Sequence, residues 1–410
     1  MICDIILIIQ IELKNEVRIM ANINDYLAWR GDLKINKDTP FNEVDSMILA
    51  RFSYLRFDKI KMEEKETIES ISNKMKVLDN DEFLYNGDKE LITNLGQSNR
   101  FKDMIVTDYI KKEDKEVEKQ FGAVTIHISE KEMYISFIGT NSTINGWKED
   151  FNMAFMDNVP CQIEGKEYVE KIADLYPNKK LRIGGHSKGG NVALYSAVTS
   201  LENIQKRIIK VYNYDGPGFN KKMVDKYKDS DILNKLETYI PQDSVIGRIL
   251  DHAEECEVVL SIEKGIYQHD IYSWQILRDD LIKSEKATDA SEAISKTLRE
   301  WLENTTNEQR KIFFDEIFEL FYVTEANTFS EIQKNLSKNI VKILKTYGEI
   351  SEEDRKTITE MIKMFGKAYI SVVTEQNNNK FEAMKEYYKE ESMKKIEEFD
   401  KKYFSKFKNE

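Results

Sequence analysis

The sequence predicts an α/β fold: a sheet core preceded by a helical segment and followed by an all-helical extension. Three observations predict it. The first is a glycine-flanked serine, Gly185-His-Ser-Lys-Gly189. It follows the apolar stretch Lys180-Leu-Arg-Ile183 and precedes Gly190-Asn-Val-Ala-Leu-Tyr-Ser-Ala-Val198, which places Ala193, Leu194, Ala197 and Val198 on one helical face. The second is punctuation. Twelve of the 17 glycines lie between Gly122 and Gly265 and no proline follows Pro241, so the turn residues of a βαβ core stop where the architecture changes. The third is the chain from about Ser284 onward, rich in Lys, Glu and Asn with only Gly348 and Gly366, which reads as successive helices.

Taken in order, Ile5-Ile-Leu-Ile-Ile9 is apolar, but Asp4 precedes it and neither a basic stretch nor a small-residue cleavage site accompanies it, so a signal peptide is not expected. The expected start of translation is Met20, because the codons for Glu16-Val17-Arg18 can spell a purine-rich ribosome-binding sequence just ahead of it. Residues 20–120 read mainly as helices, with Thr39-Pro40 and Asn42 as start signals before Glu43 to Arg51. Ala123-Val-Thr-Ile-His-Ile128 and Met133-Tyr-Ile-Ser-Phe-Ile138 read as strands, as does Lys235-Leu-Glu-Thr-Tyr-Ile240. Glu257-Val-Val-Leu-Ser-Ile262 with Gly265-Ile-Tyr-Gln268 reads as a hairpin. In the tail, Ile312, Phe313, Ile317, Leu320 and Phe321 recur at helical spacing, as do Met361, Ile362, Phe365, Tyr369, Val372 and Val373, and later Ile396, Phe399, Tyr403 and Phe407. Packing of apolar faces is the simplest account of these stripes; the functional alternative is a lid or acyl-chain surface. The expected division is residues 1–19 upstream of the true start, a catalytic domain over 20–283 and a helical extension over 284–410. No internal repeat is evident.

Gly185-His-Ser-Lys-Gly189 has the form of a nucleophile elbow, in which a strained strand-to-helix turn exposes a serine hydroxyl. Glycine is needed two residues either side because a side chain there would collide across the turn. By composition roughly one chain in twenty of this length would carry the five-letter pattern by chance, so the strand before and the helix after must carry the assignment. The remaining parts follow in the order an α/β-hydrolase needs, serine, then acid, then histidine. Asp243, leaving the strand at Pro241-Gln242, is the first choice for the acid; Asp215 also follows a strand, but Asn213-Tyr-Asp-Gly-Pro-Gly218 is more simply a turn. Four histidines are available. His127 lies inside a strand, His186 is turned away from its neighbour's hydroxyl by the elbow, and His252 sits beside Asp251 in a stretch read as helical, acidic and solvated. By elimination His269, at the hairpin exit, is the expected general base. The oxyanion hole needs two backbone N–H groups: one from Lys188, after the nucleophile, and one from the turn Gly139-Thr140-Asn141-Ser142, for which Thr140 is well placed.

Phe137-Ile-Gly-Thr140, Trp147 with Asp150, Gly185-His-Ser-Lys-Gly-Gly190, Asp243 before Val245, and the late His269 together resemble the class 3 lipases, a branch of the α/β-hydrolases. The resemblance covers roughly residues 133 to 270. A wider likeness, from Asn22-Ile-Asn-Asp-Tyr-Leu-Ala-Trp-Arg-Gly-Asp32 through His269-Asp-Ile-Tyr-Ser-Trp274, is to uncharacterised bacterial lipase-like proteins. It implies an α/β-hydrolase-like sheet core, a Ser187–Asp243–His269 triad and an oxyanion hole of Thr140 with Lys188. The sequence departs from the lipase pattern at Lys188, often apolar there, and at Ile138, often arginine. A cation at Lys188 either favours an anionic head group or points into solvent.

Composition agrees with an enzyme of this kind. A net charge of −12, from 61 basic and 73 acidic side chains, excludes nucleic acid as the default partner, and no basic cluster offsets it. Cys3, Cys161 and Cys256 show neither paired nor metal-like spacing, which fits a reducing cytoplasm. No run approaches the ~18 apolar residues of a membrane span, which leaves peripheral lipid contact as the only membrane association expected. The expected function is cleavage of carboxylic esters of lipid-like or other acyl substrates through an acyl-enzyme, with no cofactor and no metal. A thioesterase or acyltransferase uses the same chemistry; an idle hydrolase fold serving as a scaffold is the alternative of another class.

Overall fold

The computed structural model describes residues 21–141 and 143–403, so the expectation about Met20 lies outside the described residues. Helices α1 (Ile23–Arg30) and α2 (Glu43–Phe52) each begin with a reciprocal asparagine–aspartate cap. In α2, Asn42 Oδ1 accepts from Asp45 N at 2.9 Å while Asn42 N donates to Asp45 Oδ2 at 3.0 Å, which satisfies two otherwise orphaned amides. The expected start at Asn42 is the observed one. Strand β1 (Lys65–Thr67), α3 (Ile68–Met75) and α4 (Asp88–Gln97) follow. The expectation of helix up to residue 120 ends earlier: β2 (Ile105–Asp114) pairs antiparallel with β3 (Lys119–His127), which is paired on both edges and buried over residues 120–126 as an interior strand of the sheet.

The parallel core of the sheet comes next. It comprises β4 (Glu132–Phe137), α5 (Ile144–Asn152), α6 (Pro160–Leu175), β5 (Lys180–His186), α7 (Lys188–Thr199), α8 (Glu202–Gln205), β6 (Ile208–Tyr214), α9 (Lys221–Tyr227), β7 (Leu236–Pro241) and β8 (Cys256–Val259). The short β9 (Ile276–Leu277), β10 (Asp280–Leu281) and β11 (Lys283–Ser284) precede five helices, α10 (Asp289–Glu303), α11 (Asn307–Tyr322), α12 (Phe329–Lys334), α13 (Leu336–Glu349) and α14 (Glu352–Tyr403). The nine-stranded sheet runs β1-β2-β3-β4-β5-β6-β7-β8-β11, parallel from β4 to β8 and antiparallel at both ends. This is an α/β-hydrolase-like sheet with helical flanks, as the sequence implies.

Strands β4 to β8 are laid down in chain order, so right-handed crossovers place their helices on one face. There α6, α7 and α9 bury Val169, Ile172, Val192, Leu194, Met223 and Tyr227 against Ile135, Phe137, Ile183 and Val211. The opposite face is left to α1–α4. Along it runs a row of tyrosines, Tyr134, Tyr212, Tyr214 and Tyr239, with the last three stacked at 5.6–6.2 Å. Gly184 makes room for this row, since a Cβ there would meet Tyr134 Oη at 2.2 Å. Tyr214 Oη donates to Glu43 O at 2.6 Å, and Tyr134 Oη lies 2.9 Å from Ser46 Oγ, so the hydroxyls seat the buried α2.

The expected hairpin over 257–268 does not form. Only Gln268 of Gly265–His269 is buried, Tyr267 is exposed, and the segment closes as a short 3-10 turn in which Gly265 has φ +56°. β8 takes β11 as its outer neighbour instead.

The tail helices do not stand apart. Phe314 and Phe318 of α11 pack on Phe151 of α5 at 4.8 and 5.7 Å, and Trp301, Phe314 and Met361 form a cluster joined by Phe155. Lys148 of α5 pairs with Asp315 of α11. Deleting the chain from Lys286 onward is therefore expected to give aggregated protein, because it bares Ile144, Phe151 and Phe155 together. Size-exclusion chromatography of the truncated chain checks this; a monodisperse product would show that the extension is a separable module.

Candidate active site

Ser187 sits between β5 and α7 with φ 57° and ψ −135°, a strained conformation for a residue with a Cβ. The flanking glycines are required by backbone contacts. A Cβ on Gly185 would lie 2.4 Å from Gly189 C, and one on Gly189 would lie 2.3 Å from Phe137 O. Ser187 N donates to Tyr214 O at 2.9 Å, which ties the turn to the end of β6. Lys188 opens α7, so its N–H belongs to a first turn whose amides have no carbonyl partner within the helix. The Gly139–Thr140 turn passes close over Ser187: a Cβ on Gly139 would stand 3.1 Å from Ser187 Cβ and 2.5 Å from His186 O. Thr140 is held by its hydroxyl, which donates to Asp150 Oδ2. The Gly139–Thr140 turn and Lys188 thus border Ser187.

The acid beside the histidine is not the expected one. His269 Nδ1 is 2.6 Å from Asp215 Oδ2, and Asp215 is buried. Its other oxygen accepts from Ser244 Oγ at 2.5 Å and Gly247 N at 3.1 Å. Asp215 follows β6, directly beside the elbow strand, and takes φ 51°, which the Asp-Gly-Pro-Gly turn accommodates. Asp243, the first choice from sequence, is drawn elsewhere. Its carboxylate accepts from Thr288 Oγ1 at 2.6 Å, Gly265 N at 2.9 Å and Gln268 Nε2 at 3.2 Å, so it clasps the start of α10 and the 3-10 turn to the end of β7. With those donors in place it does not orient the imidazole. What would have pointed to Asp215 is its strand, the one that follows the elbow helix and lies next to β5.

His269 is partly exposed. Among the described residues no hydrogen bond joins Ser187 Oγ to His269 Nε2; catalytic hydrogen bonds in unliganded enzymes are commonly long and tighten with substrate. His186 faces away from the serine hydroxyl, as expected. Its Nε2 donates to His269 O at 2.7 Å and its Nδ1 lies 3.3 Å from Tyr54 Oη. Burial pushes this imidazole well below its usual pKa, with His269 and Arg51 adding to the effect, so it stays neutral and fixes the backbone of His269. His127 bonds Thr107 Oγ1 at 3.1 Å as a structural residue. The stretch around His252, in contrast, is neither helical nor solvated: Nε2 meets Gly247 O and Nδ1 meets Glu254 Oε1, each at 2.9 Å.

Lys188 takes neither of its expected directions. Its ammonium is buried and donates to Glu149 Oε2 at 2.9 Å and to Gln120 Oε1 and O at 2.9 and 3.1 Å, with Asp150 Oδ1 at 3.8 Å. No charge is left over for a head group. Burial pushes Asp150 up to about 6, against the lowering by Lys188 and by the Thr140 hydroxyl. Lys188→Met strands the buried Glu149 carboxylate beside the half-buried Asp150 and is expected to cost roughly 3–5 kcal/mol in urea unfolding. An unchanged unfolding midpoint together with a raised KM for anionic esters would return the lysine to substrate binding.

A cavity of about 330 Å³ lies between the end of α5, the segment after β7 and helices α10 and α11. Phe155, Leu250 and Leu302 line it, and Ser187 does not.

The family described as Mbeg1-like matches residues 95–319, just over half of the chain. Among proteins of curated function, none matches. Solved structures to which the chain is similar include the Rhizomucor miehei lipase propeptide complex, at 16% identity and TM-score 0.30, covering 40% of this chain and 58% of that one. Lipase II from Rhizopus niveus is similar at 13% identity and TM-score 0.31, covering 48% and 77%. An MDLA mutant from Penicillium cyclopium is similar at 12% identity and TM-score 0.35, covering 62% and 89%. The chain thus spans a little over half the length of the Rhizomucor lipase chain.

Proposed function

The chain belongs to the Mbeg1-like family, whose matched stretch holds Ser187, Asp215 and His269 together, and from that premise we propose that it is a serine hydrolase of carboxylic esters. The observation that carries this reading is the 2.6 Å pairing of His269 Nδ1 with a buried Asp215 beside a strained serine elbow. In the proposed reaction Ser187 Oγ attacks the ester carbonyl while His269 Nε2 takes its proton. Asp215 holds the imidazole in the tautomer that leaves Nε2 free and stabilises the imidazolium that forms. The backbone N–H groups of Thr140 and Lys188 receive the developing oxyanion. Collapse expels the alcohol, which takes the proton from His269, and water activated by the same imidazole then releases the acid from the acyl-enzyme.

The substrate class in this reading is a lipid-like or other acyl ester. No described helix is long and apolar enough to cross a membrane. Peripheral contact with lipid would fall to the exposed row Ile340, Val341 and Leu344 of α13. The free thiols Cys161 and Cys256 suit a reducing compartment, and the reading places the protein in the cytoplasm. It keeps 20–283 as the catalytic unit and 284–410 as its helical extension.

The competing reading is a hydrolase fold retained as a binding module, and the lack of a Ser187–His269 hydrogen bond favours it. Treating the full chain with a fluorophosphonate and mapping the adduct by mass spectrometry separates the two. A single adduct on Ser187 is expected; an unlabelled chain, or a label elsewhere, overturns the hydrolase.

A further inference from the structure

The sequence runs His252-Ala-Glu254-Glu-Cys256 into β8, and the mechanism uses none of the three alternate residues. We infer that His252, Glu254 and Cys256 form a binding site for one borderline-soft divalent cation of the Zn²⁺ kind. One ligand atom from each lies within 4.8 Å of the other two. A tetrahedral ion with Zn–S of about 2.3 Å and Zn–N or Zn–O of about 2.0–2.1 Å needs these atoms to close by only roughly 1 Å.

The donors are already oriented. His252 Nε2 meets Gly247 O at 2.9 Å, a contact that leaves Nδ1 as the ring atom facing Glu254. A ligating histidine is ordinarily fixed by a backbone carbonyl on its other nitrogen. Thr238 Oγ1 donates to Glu254 Oε1 at 2.8 Å and sets the plane of the carboxylate. Glu254 Oε2, in a side chain only 6% exposed, is buried without a hydrogen-bond partner. A buried carboxylate oxygen without a donor is costly unless something cationic answers it. Cys256 is a free, half-buried thiol. One nitrogen, one oxygen and one sulfur ligand suit zinc better than the harder magnesium or calcium.

The three side chains line a cavity of about 220 Å³, which leaves room for a water as fourth ligand. Two arginines also line it, but each is answered elsewhere. Arg248 bonds Glu292 at 2.6 Å, and Arg299 lies 3.5 Å from Asp251. The cysteine spacing alone carries no metal signature because the other two ligands are a histidine and a glutamate. The site also bears on the active site. Gly247, whose carbonyl meets His252, donates its N–H to Asp215 Oδ1, so an ion here braces the loop behind the acid. That consequence rests on the proposed function, whereas binding itself does not.

The test is metal titration of the chelator-stripped full chain, read without substrate. Zn²⁺ competed against a chromophoric chelator is expected to bind at one ion per chain. Co²⁺ should give a thiolate-to-metal charge-transfer band that is lost in Cys256→Ser and kept in Cys161→Ser and Ser187→Ala. Zn²⁺ should also protect Cys256 from alkylation in the wild-type chain, which keeps the proposal testable if a variant fails to fold. No stoichiometric binding, no thiolate band, or alkylation of Cys256 unaffected by Zn²⁺ would each overturn the site, whatever the hydrolase assay shows.

Discussion

Ser187→Ala is expected to abolish fluorophosphonate labelling and to lower ester hydrolysis by ~10³-fold or more, with the fold intact. The fold should survive because alanine carries the same Cβ as serine through φ 57°, so the strain of the elbow is unchanged. Ser187 Oγ has no hydrogen bond to His269 to lose, and the backbone bonds to Tyr214 and Gly190 do not involve the hydroxyl. Rates of acyl-ester cleavage and thermal unfolding of the same preparation check the two halves. Turnover that persists beyond a few-fold loss would remove Ser187 as the nucleophile. The double variant with His269→Ala should be hardly worse than either single one, because nucleophile and base act as a unit.

The second large effect separates two aspartates. Asp215→Asn keeps the volume but offers His269 Nδ1 an amide, which can present a donor where an acceptor is needed. Turnover should fall by ~10²–10⁴-fold. Asp243→Asn should leave turnover within a few-fold and appear instead as lost stability, since its carboxylate receives Thr288, Gly265 and Gln268. The paired measurement is turnover alongside urea unfolding for both variants. A turnover loss confined to the Asp243 variant would return the acid to the end of β7.

These two residues show where sequence reading holds and where it stops. The elbow was legible because its constraint is local: Gly185, Ser187 and Gly189 exclude side chains through contacts within a few residues and with Phe137. The cap at Asn42 and the elbow strand and helix were legible for the same kind of reason. The choice between Asp215 and Asp243 was not local. Both leave strands, and only the sheet order places the end of β6, rather than β7, at Ser187 N and His269 Nδ1. Lys188 was ambiguous because its partners, Gln120 and Glu149, come from a strand and a helix with no pattern in sequence that links them. The failed hairpin after β8 had the right composition, but burial alternation there depends on β11, which arrives more than twenty residues later.

The tyrosine face under α2 sets a demand on biosynthesis. Helix α2 is enclosed on every side, with Val44, Met47, Ile48, Leu49, Ala50 and Phe52 all inaccessible in the finished fold. Its strand neighbours include β4, β5, β6 and the late β10, whose Leu281 leaves the ribosome more than two hundred residues later. At ~5–20 residues per second the helix must wait roughly 10–50 s with its greasy surface bare. Nascent chains stalled before β10 should accordingly be held by chaperones or precipitate, while the released full chain should not.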